Sequence, residues 1–342
     1  MYFSSCKPLK EIQYKLKVKG HPHMNAKQLK ALILPSTRRW FRAARNSPNT
    51  SLFDLLHGYI YARWPYLYIG LGTGEHPLSR KYSWVVTVLS KVISHSNNGH
   101  QHSQNGVSTN GKLTFAEGYH GKVMPLESIT RLVMVQEEIK MPDLEQVIPY
   151  QRARALILQN PDHIVALQCP CRTARQNPCL PLDVCLIVGE PFASFVIEHH
   201  PQRARWITQP AAVEILRQED DRGHVHHAFF KDAMFGRFYA ICNCCSCCCG
   251  AMQFHRRGTP MLAASGYVCR VDETLCIGCG ECTAFCQFGA LSLADFTSIV
   301  NMDICMGCGV CVDKCAQGAL ALQREASKGQ PLEIYQLLDM AP

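Results

Sequence analysis

The sequence predicts an α+β protein built from three kinds of segment. Near the C-terminus eight cysteines form one motif written twice at an offset of 29 residues, and each copy has the short apolar flanks typical of a β-α-β unit. Upstream, helical and strand patterns are mixed in a cysteine-rich stretch, and the chain begins with a basic region of short helices. We therefore expect a C-terminal pair of β-α-β cysteine-bearing units, preceded by a mixed helix and strand domain and a mainly helical N-terminal region.

Composition divides the chain into five segments. Residues 1–95 are basic and aromatic and are interpreted as a helical docking region, while residues 96–111 have almost no apolar side chain and predict a flexible linker. The cysteine-rich domain spans 112–265, the repeated motif lies in 266–325, and 326–342 form a tail. Residues 1–45 carry a net charge of +10 against +8 for the whole chain, so the basic character is N-terminal.

Periodicity and turn signals place the upstream elements. We expect helices at 26–34, 52–60, 126–139, 150–159 and 208–221, and a short buried strand at 163–167. Thr208 is the expected cap of the last helix and Gly223 its expected end.

The twenty cysteines indicate metal ligation in a reducing compartment. The first ten residues lack the apolar core of a secretory signal. Residues 37–42 look like a twin-arginine export signal, but the segment from Ala43 is polar where an apolar run should begin. The expected location is therefore the cytoplasm.

The repeated motif predicts two [4Fe-4S] clusters. In each copy three closely spaced cysteines can wrap one face of an iron-sulfur cube, while the fourth is carried by a following helix to the other cube. This crossed pattern assigns Cys276, Cys279, Cys282 and Cys315 to one cluster, and Cys305, Cys308, Cys311 and Cys286 to the second. Paired zinc sites also use C-x2-C spacing, but eight cysteines in a 29-residue repeat favour clusters.

Residues 267–322 resemble the bacterial two-cluster ferredoxins. The sequence departs from that family where a proline usually follows the fourth cysteine of each copy, because Gln287 and Ala316 stand there. The departure bears on local helix entry and on reduction potential, not on cluster binding.

The upstream cysteines form two groups. Four lie within 17 residues and would make one complete ligand set for a cube or for zinc: Cys169, Cys171, Cys179 and Cys185. Six follow within eight residues, too densely for one cube: Cys242, Cys244, Cys245, Cys247, Cys248 and Cys249. We expect one or two additional iron-sulfur clusters that use some of these ten residues, with structural zinc and redox-active disulfides as alternatives.

The segments CPCR, PCLPLDVCL and FYAICNCCSCCCG, joined to the C-terminal unit, resemble a broader group of multi-cluster ferredoxin-domain proteins over residues 112–322. That resemblance implies further iron-sulfur binding and electron transfer, without a defined substrate. The expected function is an oxygen-sensitive relay subunit, suited to anaerobic conditions, which passes single electrons between a donor and a larger oxidoreductase. The alternatives are an iron-sulfur reductase with a catalytic upstream cluster, and a redox sensor.

No catalytic residue is assigned, because no nucleophile elbow, radical S-adenosylmethionine motif or convincing dinucleotide fingerprint is present. An electron carrier or oxidoreductase subunit is therefore expected rather than a stand-alone enzyme. The expected partners are redox proteins. The basic N-terminus also suits the cytoplasmic face of an anionic membrane, whereas no DNA-binding motif is recognisable.

Overall fold

A computed structural model describes residues 34–47, 51–76, 78–79 and 115–339 of the chain. The expected linker at 96–111, and all but the last residue of the expected helix at 26–34, lie outside these ranges. Helices and strands are mixed along the described chain, which agrees with the predicted α+β class.

A seven-stranded sheet forms the centre of the upstream part. Its strands are β1 (Tyr119–Met124), β4 (Ile164–Leu167), β5 (Cys185–Val188), β6 (Ala204–Ile207), β7 (Val225–Lys231), β8 (Arg237–Cys244) and β9 (Leu262–Ala263). Their order across the sheet is β6-β4-β5-β8-β7-β1-β9. Neighbours are antiparallel except β1 and β9, which are parallel.

Helices cover this sheet and account for its continuous apolar strands. β4, β5 and β7 are buried at every position, as expected for strands covered on both faces. The helices of this part are α1 (Pro35–Arg45), α2 (Leu52–Arg63), α3 (Pro65–Gly72), α4 (Phe115–Gly118), α5 (Leu126–Val133), α6 (Pro170–Thr173), α7 (Phe192–His199), α8 (Gln209–Asp221) and α9 (Gly250–Arg256).

The helix expected at 52–60 lies within α2, and the helix expected at 126–139 forms only as α5, which ends at Val133. Two other upstream predictions match closely and one is wrong. The expected strand at 163–167 is β4, and the helix expected at 208–221 is α8, in which Thr208 Oγ1 accepts a hydrogen bond from the Ala211 amide at 3.3 Å. The helix expected at 150–159 does not form. Leu156 and Leu158 alternate toward the core in β3 (Leu156–Leu158), which pairs with β2 (Ile139–Met141), so strand pairing overrides the apparent helical period.

The described N-terminal helices pack against the upstream domain. Trp40 in α1 is fully buried, and its ring centroid lies 4.7 Å from Phe195, 4.9 Å from Phe235 and 5.7 Å from Phe192. The segment that looks like an export signal is thus part of a helix anchored in the core. Within the described ranges, no helix is long and apolar enough to cross a bilayer.

The C-terminal unit is formed by two interlocked halves. β10 (Tyr267–Val271) pairs antiparallel with β13 (Leu320–Arg324), while β11 (Leu291–Ala294) pairs with β12 (Thr297–Val300). The first strand of one half therefore pairs with the last strand of the other. Helices α10 (Glu281–Phe285) and α11 (Val310–Asp313) carry cysteines of the two motifs, and α12 (Ile334–Asp339) follows β13.

Candidate metal centres

The first cysteine set of the C-terminal unit surrounds one cavity. Cys276, Cys279 and Cys282 line it together with Cys315, which comes from the second copy of the motif. The Ser298 amide donates to Cys276 Sγ at 3.5 Å, the kind of N–H contact that stabilises a cluster thiolate. Four thiols converging on one small space fit a cube.

The second set is buried more deeply. Burial raises the pKa of the Cys308 thiol well above its usual range, and the nearby charges of Cys311, Cys286 and Cys305 add to the rise. The Ala290 amide donates to Cys286 Sγ at 3.2 Å. Thiolates this close to one another repel, and the iron ions of a bound cluster would offset that repulsion and keep the thiols deprotonated. These residues therefore also fit a cube.

Cys269 is a residue that the sequence interpretation did not assign. It lies in β10, is 2% exposed, and its amide donates to Cys305 Sγ at 3.4 Å. A hydrogen bond with its thiol is the first cause of a raised pKa at Cys311, ahead of burial. The sequence did contain a signal for Cys269, which is a cysteine in an apolar strand next to the motif. That strand pairs with β13 and therefore passes beside the second cysteine set.

The upstream cysteines separate into a group of four and a group of six. The group of four, the tetrad, is Cys179, Cys245, Cys247 and Cys248. All four Sγ atoms lie within 4.8 Å of one another. The measured pairs are 3.2 Å for Cys179 and Cys247, 3.2 Å for Cys245 and Cys247, 3.6 Å for Cys179 and Cys245, and 3.7 Å for Cys247 and Cys248.

The group of six forms a closed ring of neighbouring thiols. Each thiol has hydrogen-bonding contact with the next in the order Cys169, Cys171, Cys249, Cys244, Cys242, Cys185 and back to Cys169. All six line a partly open cavity of about 70 Å³, which Cys245 and Cys248 of the tetrad also border. One water needs only about 10–15 Å³ of such space, so the cavity has room for a group of several atoms.

Hydrogen bonds set the charge pattern around the ring. Bonds from Cys171 and Cys244 lower the pKa of Cys249 to about 5, and bonds from Cys185 and Cys244 lower that of Cys242 to about 6. Two of the six thiols are thus stabilised as thiolates by their neighbours. Thiolates are the form that binds iron or zinc.

The division differs from the one expected along the sequence. Cys169, Cys171, Cys179 and Cys185 do not form one ligand set, because Cys179 joins the tetrad while the other three join the ring. The loop that carries Cys179 leaves the sheet and meets the loop after β8. The six cysteines expected to be too dense for one cube are divided in the structure: Cys242, Cys244 and Cys249 lie in the ring, and Cys245, Cys247 and Cys248 lie in the tetrad.

Arg172 connects the backbone segments that carry the ring. Its side chain is 1% exposed, and it donates to the carbonyl oxygens of Pro181 at 2.6 Å and Asn243 at 3.0 Å. It also pairs with the buried carboxylate of Glu219. Burial alone would raise the pKa of Glu219, but the hydrogen bond with His224 and the charge of Arg172 outweigh it, and the pKa is lowered. Arg172 therefore holds the loop before Cys185 and the end of β8 at Asn243 together.

Three tyrosines, Tyr61, Tyr119 and Tyr239, line the same cavity. The hydroxyl oxygens of Tyr61 and Tyr239 are 2.8 Å apart. Burial, followed by the negative charge available at Cys242 and Cys171, raises the pKa of Tyr61 far above its usual value. The hydroxyls therefore remain protonated and can donate hydrogen bonds toward sulfur.

Gln287 links the upstream domain to the C-terminal unit. Its Oε1 accepts from the amide of Ser246 at 2.9 Å, and its Nε2 donates to the carbonyl of Gly223 at 2.9 Å. Ser246 lies between two tetrad cysteines, and Gln287 directly follows Cys286. The residue that replaces the usual proline thus joins a cluster motif to the tetrad loop.

Comparison with known families supports the C-terminal interpretation. Residues 275–320 match a family described as a 4Fe-4S dicluster domain. No curated protein and no solved structure matches the chain. The chain therefore contains an iron-sulfur domain at its C-terminal end, and a cysteine group able to bind metal upstream of it.

Proposed function

We propose that this protein is a multi-cluster iron-sulfur electron carrier, in which the C-terminal dicluster domain exchanges electrons with a further iron-sulfur centre held by the six-cysteine ring. The observation that carries the proposal is the ring itself, because six thiols line one cavity. Sulfur-rich ligand sets select iron-sulfur clusters or zinc among the metals of the cell.

The size and contents of the cavity favour a cluster over a single ion. A mononuclear zinc site uses four ligands in close contact, whereas the ring offers six thiols around a space of about 70 Å³. Arg172, paired with Glu219, borders the cavity, and the raised pKa values of Cys169 and Cys185 follow mainly from their thiol neighbours. Such an arrangement is suited to holding several metal ions bridged by sulfide.

A short route connects the two parts. It runs from Cys286 through Gln287 to the Ser246 amide, and from there along the backbone to Cys245, which borders the ring cavity. Contact between the units at this point supports electron exchange between the second C-terminal cluster and the ring.

The test is metal analysis and spectroscopy on full-length protein purified without oxygen. The dicluster domain accounts for about eight irons, so about twelve or more irons with matching sulfide support the ring centre. A total near eight would contradict it. Cys185→Ser should remove the ring signal in the EPR spectrum, while Cys282→Ser should change only a C-terminal cluster.

A catalytic role is a second candidate, favoured by the tyrosine hydroxyls beside the ring. Protonated Tyr61 and Tyr239 could hold or deliver a proton where an electron arrives, which a simple relay does not require. Small ligands such as cyanide or azide should then change the spectrum of the ring centre in the reduced protein. An unchanged spectrum in every oxidation state supports the carrier.

For the partner, we propose docking through the exposed face of α1 and α2. Arg38 and Arg42 are exposed on α1, and Leu52 and Leu56 on α2 are 83% and 57% exposed. Arg38→Glu combined with Arg42→Glu should slow electron exchange with an acidic ferredoxin, most strongly at low salt. Loss of binding to anionic lipid vesicles with unchanged exchange would instead indicate a membrane surface.

A further inference from the structure

The tetrad differs in geometry from every other cysteine group in the described chain. Its four Sγ atoms lie within 4.8 Å of one another, and among the described residues no other set of three ligand atoms is this close. Neither C-terminal set nor the ring shares this compactness. The tetrad is therefore suited to binding a smaller metal group than the other cysteine sets.

The measured separations fit one metal ion. A zinc ion bound to four thiolates at about 2.3 Å in a tetrahedron places the sulfurs about 3.8 Å from one another. The four measured Sγ–Sγ separations of the tetrad run from 3.2 to 3.7 Å, and the others stay within 4.8 Å. A cube keeps its thiolates farther apart, because four irons and four sulfides lie between them.

We propose that Cys179, Cys245, Cys247 and Cys248 bind a single zinc ion in a closed tetrahedral site. The four ligands leave no open position, so the ion is structural rather than catalytic. The proposal does not depend on the electron-carrier function, because it rests on the tetrad alone.

The position of the tetrad shows what the ion stabilises. It joins the loop of Cys179 to the loop after β8, whose Ser246 amide binds Gln287 of the C-terminal unit. Side chains also hold this loop: Arg175 donates to the Cys248 carbonyl from Nη2 at 3.2 Å and from Nε at 3.4 Å, and Gln253 Nε2 donates to the Cys247 carbonyl at 2.8 Å. The zinc ion fixes the loop on which the C-terminal unit is seated.

The partial exposure of the tetrad makes the ion exchangeable. Cys247 is exposed and Cys179 half-buried, whereas four of the six ring thiols are buried. We therefore expect Co²⁺ to replace the zinc under mild chelation, and to give the strong visible absorption of a tetrahedral tetrathiolate complex while the iron content stays constant.

The test combines metal counting with zinc X-ray absorption on the full-length protein purified without oxygen. The expected result is one zinc per chain, with four sulfur neighbours at about 2.3 Å. Cys247→Ser should replace one sulfur neighbour by oxygen or release the zinc, and should leave the iron content unchanged. Cys269→Ser, which lies outside the tetrad, is the matched control and should keep the zinc.

Three results would overturn the proposal. They are a protein without stoichiometric zinc, a single iron with a tetrathiolate spectrum in place of zinc, and a loss of about four irons in Cys247→Ser. Because the absorption measurement is made on the unmodified protein, it decides the matter even if the variant does not fold. A failed ring centre would lower the iron count without changing the zinc, so the two proposals fail separately.

Discussion

Replacing Gln287 tests how the C-terminal unit is seated on the upstream domain. Gln287→Ala removes the acceptor of the Ser246 amide and the donor to the Gly223 carbonyl, both at 2.9 Å. Each such bond contributes about 0.5–1.5 kcal/mol net, so the contact between the C-terminal unit and the tetrad loop should lose about 1–3 kcal/mol. The fraction of molecules in which this contact is open should then rise roughly 5- to 150-fold. The tetrad loop should open more often while the clusters stay bound.

Hydrogen exchange followed by mass spectrometry measures this opening directly. In Gln287→Ala the peptide that contains Ser246 should lose protection by the factor given above, because exchange of a bonded amide follows local opening. Gln287→Pro should have the same effect, although it restores the residue usual in the ferredoxin motif.

The matched control is Ala316→Pro, the same change at the equivalent position of the second copy, where the side chain is exposed. It should leave the protection of Ser246 unchanged. Wild-type protection in both Gln287 variants, at wild-type iron content, would refute the seating role.

Three further outcomes are expected. Arg172→Met removes the buried partner of the Glu219 carboxylate and leaves it with the part-exposed Arg222 and with His224, so stability should fall by about 1–3 kcal/mol, measured as a lower urea midpoint for iron release. Gly307→Ala places a Cβ 2.1 Å from a backbone oxygen and should abolish the second C-terminal cluster by EPR, whereas Gly318→Ala, also at positive φ but in open space, should retain it. Burial lowers the pKa of Lys122 to about 7, so between pH 7 and 10 the unfolded chain keeps a proton that the folded chain has released. The free energy of unfolding should therefore rise over this pH range relative to Lys122→Met, as measured by urea denaturation.

The sequence predicts the local elements and the repeated motif better than the long-range contacts. β4 and α8 follow from a buried run and from a capped helix with Thr208 at its start, both of which are local signals. The match to a dicluster domain agrees with the repeat. The helix expected at 150–159 was wrong, because pairing with β2, which lies outside the window that showed the helical period, decides the conformation of Leu156–Leu158.

The division of the upstream cysteines could not be predicted, for a similar reason. Cys179 and Cys185 are only six residues apart, and spacing alone suggests one centre. In the fold the two diverge, since Cys185 starts β5 while Cys179 lies in the loop before it. Strand alternation did carry part of the answer: Cys242 and Cys244 lie two apart in β8 and share the ring, while Cys245 beyond the strand joins the tetrad.

The ring and the tetrad consequently depend on folding in different ways. Three of the ring thiols, Cys185, Cys242 and Cys244, lie in β5 and β8, which are neighbours in the sheet, and Cys185 is in register with Leu167 of β4. The ring therefore exists only when these strands are paired, and binding of metal there adds its free energy to the stability of the sheet. The tetrad needs only two loops to meet. A metal ion bound by the tetrad would thus order the loop that contacts the C-terminal unit without changing the core. A metal centre in the ring would bind only after the strands of the core have paired.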